Sequence, residues 1–280
     1  MFFNKEEVES AISNTRFAAR LTHLTHLTLA ISTNQSALEA ANEGATSGVW
    51  VADEQTAGRG RGGHAWHSAP GDGLYVTALA TPQLPLSSAT SLPIAAGLAM
   101  QAAVREVTGL ELDIRWPNDL MFADLKCGGI LVESASAPSP AEWLSRHPSA
   151  LKYAVIGVGL NLNHSAFPSE LARLATSLYL ESGRHFEREL ILAAFLNNLD
   201  AEITLLETDF RSPGTGPTLA ARLTAASTWV SGKRVLVGVD EQGRGGYTGI
   251  TRGLDSAGFL LVQADDGNTH TVLSGGVRSA

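Results

Sequence analysis

The pattern of this chain changes once, near residue 212. Before that point, strand-like apolar runs alternate with segments of helical periodicity. After the turn-rich link Ser212-Pro213-Gly214-Thr215-Gly216-Pro217 and one short apolar helix, only short strands follow. They fall at 234–239, 246–250, 258–262 and 269–273, separated by Gly/Asp turns such as Asp240 to Gly243 and Asp265 to Asn268. Such a chain is expected to form two units, a mixed α/β unit over 1–227 and a small β-barrel over 228–280. Its 280 residues and 44% hydrophobic content give enough apolar surface for both cores.

Within the first unit the opening thirty residues are mixed. Thr22 to Leu29 then alternates like a strand, and Ser32-Thr33-Asn34 supplies N-cap chemistry for a short helix over 36–41, which Gly44 stops. Strands are expected at 48–52, 73–79, 111–116, 130–133 and 153–161. A long helix is expected over 91–107 and another over 184–210. Pro117-Asn118-Asp119 ends a strand in a turn, and Ser134 to Pro148 reads as a polar excursion.

Charge and cysteine content narrow the function. A net charge of −8 argues against non-specific coating of nucleic acid, which rests on clustered Lys and Arg. With Cys127 alone, neither a disulfide nor a thiolate zinc site forms within the chain. His23/His26 and His64/His67 share a three-residue spacing but have no third ligand in context, so no fixed metal site is expected. No secretory signal or apolar run of about 18 residues is visible, so a cytoplasmic protein without membrane contact is expected.

The most unusual segment is Gly58-Arg59-Gly60-Arg61-Gly62-Gly63-His64-Ala65-Trp66. Four glycines interleaved with arginines cannot hold a helix or strand, so a mobile loop is expected. The glycine spacing formally meets the dinucleotide fingerprint, but a turn-rich stretch follows where a helix should open, and no Gly-Lys-Ser/Thr of a P-loop is present. Guanidinium groups on a pliable backbone suit an anionic substrate that must be enclosed. A solvated loop and an Arg-Gly RNA-binding segment are the alternatives. Lys126 opens the strand that runs through Gly128-Gly129, and the Gly157-Val158-Gly159 backbone can pack against a flat ligand, or simply cross a tight core. Asn118 and Asp119 project from a strand end, unless they cap their own turn.

The order of these motifs is more telling than any one of them. Ser32-Thr33-Asn34, Gln55 with Gly58 to Arg61, Trp116 to Asp119, Lys126 with Gly128 to Glu133, and Gly157 to Asn161 together resemble the motif series of biotin–protein ligases, over roughly residues 30 to 165. The terminal strand module is similar to that family's SH3-like barrel, and Gly275 to Ser279 to its tail. The resemblance implies an α+β fold whose mixed-sheet catalytic domain is related to class II aminoacyl-tRNA synthetases and lipoate ligases. It implies biotin and ATP as substrates, Mg²⁺ with the ATP, and a biotin carboxyl carrier protein as acceptor.

It further implies that Ser32, Thr33, Asn34, Gln55 and Gly129 line a biotin pocket, and that Arg59, Gly60 and Arg61 fold over the biotin tail and the adenylate phosphate. Trp66, Asn118 and Asn161 would lie at the adenine. Lys126 would contact the biotin carboxylate and the α-phosphate, and Asp119 would orient Lys126 or accept a proton. Gly62 and His64 stand where the family often has basic residues. About thirty residues precede Ser32, too few for the family's helix-turn-helix repressor module, so an enzyme that does not bind DNA is expected. Monomer or homodimer is left open. Lipoate or octanoate ligation, and biotin sensing without catalysis, are the rival readings.

Overall fold

The computed structural model describes residues 3–18, 23–138, 149–238, 246–255, 257–273 and 276–280. The expected Asp240 to Gly243 turn, Thr22, residues 139–148 of the polar excursion and Gly275 lie outside them.

The strands of the first unit are β1 (Leu24–Ala30), β2 (Gly48–Gln55), β3 (Gly73–Ala80), β4 (Asp113–Arg115), β5 (Asp119–Phe122), β6 (Leu125–Pro138) and β7 (Ser149–Asn161). They form one mixed sheet in the order β1-β2-β3-β7-β6-β5-β4, in which β1 and β2 are parallel and every other pair is antiparallel. The helices are α1 (Lys5–Ala11), α2 (Thr33–Asn42), α3 (Leu92–Thr108), α4 (Leu178–Ser182), α5 (Arg188–Arg211) and α6 (Leu219–Ala226).

One face of the sheet is covered by α3 and α5. Leu92, Ala95, Ala99 and Ala103 of α3, and Leu192, Phe195, Leu196 and Leu199 of α5, are buried against Val76, Ile156 and Val158. Each large aliphatic or aromatic side chain removed from water in this way contributes roughly 1.5–3 kcal/mol. Gly97 of α3 meets Ile130 and Ile114 so closely that an added Cβ would already be in van der Waals contact, and Gly109, at φ 74°, closes the helix. Among the described helices, α2 alone lies on the opposite face, where it packs Ala37 and Ala41 on Leu79, Tyr153 and Val155. That one-sided cover leaves the α2 face open beyond the helix, and the candidate residues gather there.

The C-terminal unit is an antiparallel SH3-like sheet of β8 (Ser231–Val237), β9 (Tyr247–Leu254), β10 (Leu260–Ala264), β11 (Thr269–Val272) and β12 (Val277–Ser279), in the order β11-β10-β9-β8-β12. It is joined to the first unit by side chain to backbone bonds. Trp116 Nε1 donates to Gly258 O at 3.0 Å and Thr228 N to Asp113 Oδ1 at 3.1 Å, while inside the first unit Ser227 Oγ donates to Ile114 O at 2.6 Å and Gln101 Nε2 to both Leu112 O and Ala226 O, which anchors the segment leading into the join.

Three expectations need correction. The polar excursion is strand through Pro138, because Ser134 to Pro138 keep their ladder to β7. A strand, β5, follows the Pro117 turn directly and pairs back on β4, Arg115 opposite Asp119; the Trp116–Pro117 bond is cis. The glycine–arginine loop is not without regular contacts. Gly60 N donates to His64 O at 2.7 Å and Trp66 N to Gly58 O at 2.8 Å around a single 3₁₀ turn at Arg61–Gly63.

Candidate active site

The floor of the site is made of glycine. Strand residues two apart share a face, so Gly157 and Gly159 both look toward α2, and Gly159 lies directly opposite Gly129 of β6. A Cβ on Gly157 would come within 1.9 Å of Asn34 Oδ1, and one on Gly159 within 2.4 Å of the Trp66 indole. The flat group lying on the Gly129–Gly159 pair in this structure is therefore Trp66. Its buried Nε1 has no hydrogen-bond partner among the described residues.

Lys126 reaches this floor because of a bulge. Leu120 pairs with Gly128 but Met121 with Lys126, so Cys127 is an extra residue in β6. The bulge reverses the alternation and brings Lys126, three residues before Gly129, onto the same face. Its Nζ would lie 3.3 Å from a Cβ at Gly129 and is 5.5 Å from the Trp66 ring centroid. Asp119 Oδ1 holds that ammonium at 2.5 Å, while Arg115 grips Asp119 Oδ2 at 3.1 and 2.7 Å through Nε and Nη2. Burial pushes the Asp119 carboxyl up, but Lys126 and Arg115 outweigh it and hold the group below the usual carboxylate range. The Cys127 thiol is fully buried, and burial raises its pKa, which makes it a packing residue.

The pocket wall beside α2 is a chain of hydrogen bonds. Gln55 Oε1 accepts from Thr33 N at 2.9 Å, and Gln55 Nε2 donates to Ser68 Oγ at 2.9 Å. The Thr77 hydroxyl donates to Asn34 Oδ1 at 2.6 Å and lies 2.8 Å from Thr33 Oγ1. Asn34 Nδ2 donates to Glu133 Oε2 at 2.9 Å and to Leu131 O at 3.3 Å. Ser32 is buried at the head of α2, but its side chain makes no capping bond, contrary to the N-cap role its position suggested.

The loop is latched at two points. Arg59 Nη2 meets Glu133 Oε2 at 3.0 Å, and Arg61 Nη1 donates to Asn118 Oδ1 at 2.9 Å. Asn118 Nδ2 in turn donates to Ile130 O at 2.7 Å. Asn161 Nδ2 donates to Thr176 O at 3.0 Å and to Lys126 O at 3.4 Å, which ties the Lys126 strand in place.

All thirteen residues singled out in the sequence thus converge on the α2 face or on the loop above it. Sequence reasoning did not reach Thr77 and Ser68, and it assigned no role to Glu133 or Arg115 although both stand at the ends of the motifs it singled out. A carboxylate ending the apolar run Gly129 to Val132 was the one available signal for Glu133. A cavity of about 920 Å³ lies elsewhere, among Leu206, Phe210, Leu219 and Leu254, and contains none of these residues. Among the described residues no group of three or more His, Cys, Asp or Glu side chains is placed to hold a metal ion, and no helix is long and apolar enough to cross a membrane.

Residues 28–142 match the Biotin/lipoate A/B protein ligase family, and residues 230–277 match the Biotin protein ligase C terminal domain. The biotin–[acetyl-CoA-carboxylase] ligase of Paracoccus denitrificans is 31% identical over 84% of this chain and 92% of its own length. That of Mycobacterium tuberculosis is 30% identical over 88% of this chain and 84% of its own length. The biotin protein ligase from Aquifex aeolicus in complex with biotin and ATP superposes with a TM-score of 0.71 at 26% identity, covering 92% of this chain and 99% of that structure. By sequence, fold and extent of match, the chain belongs to the biotin protein ligase family.

Proposed function

We infer that this enzyme joins biotin to ATP and transfers the biotinyl group to a lysine of a biotin carboxyl carrier protein. The observation that carries this reading is the convergence of Lys126, held by Asp119, on a glycine floor covered by an arginine-bearing loop. In the first step a biotin carboxylate oxygen bonds to the α-phosphorus of ATP, the bond to the bridging oxygen breaks, and pyrophosphate leaves. Both reactants are anions, so the ammonium of Lys126 and the guanidinium of Arg61 lower the barrier where negative charge gathers. Mg²⁺ bound to the ATP phosphates as part of the substrate would offset their charge.

The product, biotinyl-5′-AMP, is a mixed anhydride that water would cleave. The Gly58 to Trp66 loop excludes water, with Arg59 exchanging Glu133 for the bound anion. In the second step the neutral amine of the carrier lysine attacks the acyl carbon, the bond from that carbon to the bridging anhydride oxygen breaks, AMP leaves carrying that oxygen on its phosphate, and the nitrogen loses a proton. Asp119 is a poor candidate for that proton. It has two cationic partners and is held ionised below the ordinary range, so we assign it the orientation of Lys126.

Thr33, Gln55, Ser32 and Gly129 form the walls of the biotin pocket. Asn34 frames it, since its amide is engaged by Thr77, Glu133 and Leu131. Asn161, whose amide nitrogen is tied to backbone carbonyls, presents its oxygen to the adenine amino group, with Trp66 and Asn118 beside the base. The proposal includes catalysis by residues 1–227, a separate module from 228, a cytoplasmic location and no DNA-binding role. Self-association as a homodimer is an open part of it.

The test is transfer of labelled biotin from ATP and Mg²⁺ onto an isolated carrier domain, with lipoate in parallel. ATP-dependent, biotin-specific labelling of one lysine is expected. Tight biotin binding without transfer would reduce the protein to a sensor, and equal labelling with lipoate would refute the specificity.

A further inference from the structure

The path from Lys126 does not end at Asp119. Arg115, at the end of β4, takes Asp119 Oδ2 with two guanidinium nitrogens, while Asp119 Oδ1 is left for Lys126. The guanidinium carbon of Arg115 lies 5.4 Å from the ring centroid of Trp229, which is 1% exposed and stands at the head of the C-terminal module. The same ring carries Lys233 of β8, with Nζ 4.5 Å from the centroid, and Lys233 also approaches Asp124 at 3.5 Å. Side chain to backbone bonds fix the strand that bears Arg115. Ser227 Oγ donates to Ile114 O, and Thr228 N donates to Asp113 Oδ1 at 3.1 Å.

We propose that Arg115 is a positioning residue for adenylation, and that Trp229 braces it, so that the C-terminal module sets the aim of Lys126. The proposal rests on the ligase reading and extends it to residues that touch neither biotin nor ATP.

A carboxylate with a single ammonium partner can rotate about its last torsion and carry the ammonium with it. Engaging the second oxygen in a two-nitrogen fork fixes the carboxylate plane, and hence the position of Lys126 Nζ. A planar guanidinium keeps its own orientation only when something flat or tightly packed backs it, and the Trp229 ring meets that need. Charge adds a second effect. The groups facing Asp119 are Lys126 and Arg115, with Lys233 and Asp124 beyond Trp229. Burial pushes the Asp119 carboxyl up and the two cations bring it down, so loss of Arg115 moves it upward and protonates it at higher pH.

The test uses the full chain and measures biotin-dependent pyrophosphate release across pH for wild type, Arg115→Gln, Arg115→Lys and Trp229→Phe, with thermal unfolding run on each. For Arg115→Gln the adenylation rate should fall about tenfold to a hundredfold. The KM values for biotin and ATP should hold, and the acid limb of the profile should move to higher pH. Arg115→Lys should recover part of both effects, and Trp229→Phe should shift the limb in the same direction by less. A uniform loss at every pH that follows the unfolding temperature would mean Arg115 is merely structural, and would overturn the proposal. A raised KM for ATP at unchanged kcat would also overturn it, by placing Arg115 on the nucleotide. A wild-type chain that makes no biotinyl-adenylate would instead sink the ligase reading, and this inference with it.

Discussion

Substituting alanine for each of the two floor glycines should give opposite kinds of damage. At Gly159 the new Cβ would stand 2.4 Å from Trp66 Cε2 and Nε1. An ordinary carbon contact needs about 3.5 Å, so the two groups must separate by roughly 1 Å. Strand β7 cannot yield, since it is paired on one side with β3 and on the other with β6. Trp66 can, because it belongs to a loop. The expected result of Gly159→Ala is a displaced indole at a stability cost under about 1 kcal/mol. Affinity for a non-hydrolysable biotinyl-adenylate analogue should be weakened about tenfold or more, or about 1.4 kcal/mol. At Gly157 the Cβ would stand 1.9 Å from Asn34 Oδ1, and Asn34 is pinned by Thr77, Glu133 and Leu131. Neither side can move, so Gly157→Ala should lose about 1–3 kcal/mol of stability, the range for overpacking a well-filled site. Isothermal titration calorimetry with the analogue and urea unfolding, run on both variants, separate these outcomes. Equal stability losses in the two, or wild-type analogue affinity in Gly159→Ala, would refute the assignment of a fixed and a movable neighbour.

Three other outcomes are expected. Lys126→Ala should abolish adenylation while leaving a folded chain, because Asp119 keeps Arg115 as partner; normal turnover would remove Lys126 from the mechanism. Arg61→Gly breaks the bond to Asn118 and should let the adenylate escape to label bystander lysines, read by mass spectrometry of a mixed-protein incubation; unchanged selectivity would count against a closing loop. Asp119 has a depressed pKa, so its contribution to stability is full above the ordinary value of 3.8 and is lost only as pH falls through the lower folded value. Lys126→Ala should bring part of that loss to higher pH in acid-unfolding curves, and coincident curves would contradict the pairing.

The fold was readable wherever apolar periodicity ran long, as in α3, α5, β3 and β7. It was hard to read where elements are short or polar. β5 has four residues directly after a Pro-Asn turn signal, α1 has a single buried residue, Val8, and β12 has three residues. The second half of β6 pairs through backbone groups that its Ser and Ala side chains do not announce. The site divides in the same way. Lys126, Arg61 and Asn118 sit in compact motifs, whereas Glu133 matters through partners that only tertiary structure brings near, and Arg115, four residues from Asp119, is backed by the distant Trp229. The Cys127 bulge, which turns Lys126 toward Gly129, leaves no mark in residue type.

The latches on the loop also shape the heat and salt response of the site. Lys126 keeps Asp119 and has further N–H groups for a ligand, but Arg59 and Arg61 already have acceptors in Glu133 and Asn118, respectively. An arriving carboxylate or phosphate competes with those acceptors, so hydrogen bonds are swapped rather than added, and each swap nets only on the order of 1 kcal/mol. Calorimetry should therefore record a modest enthalpy, with the binding free energy drawn largely from apolar surface leaving water. Of the contacts that open only Arg59–Glu133 is an ion pair, so affinity should still fall with ionic strength, by less than the number of charged contacts to the ligand alone would give.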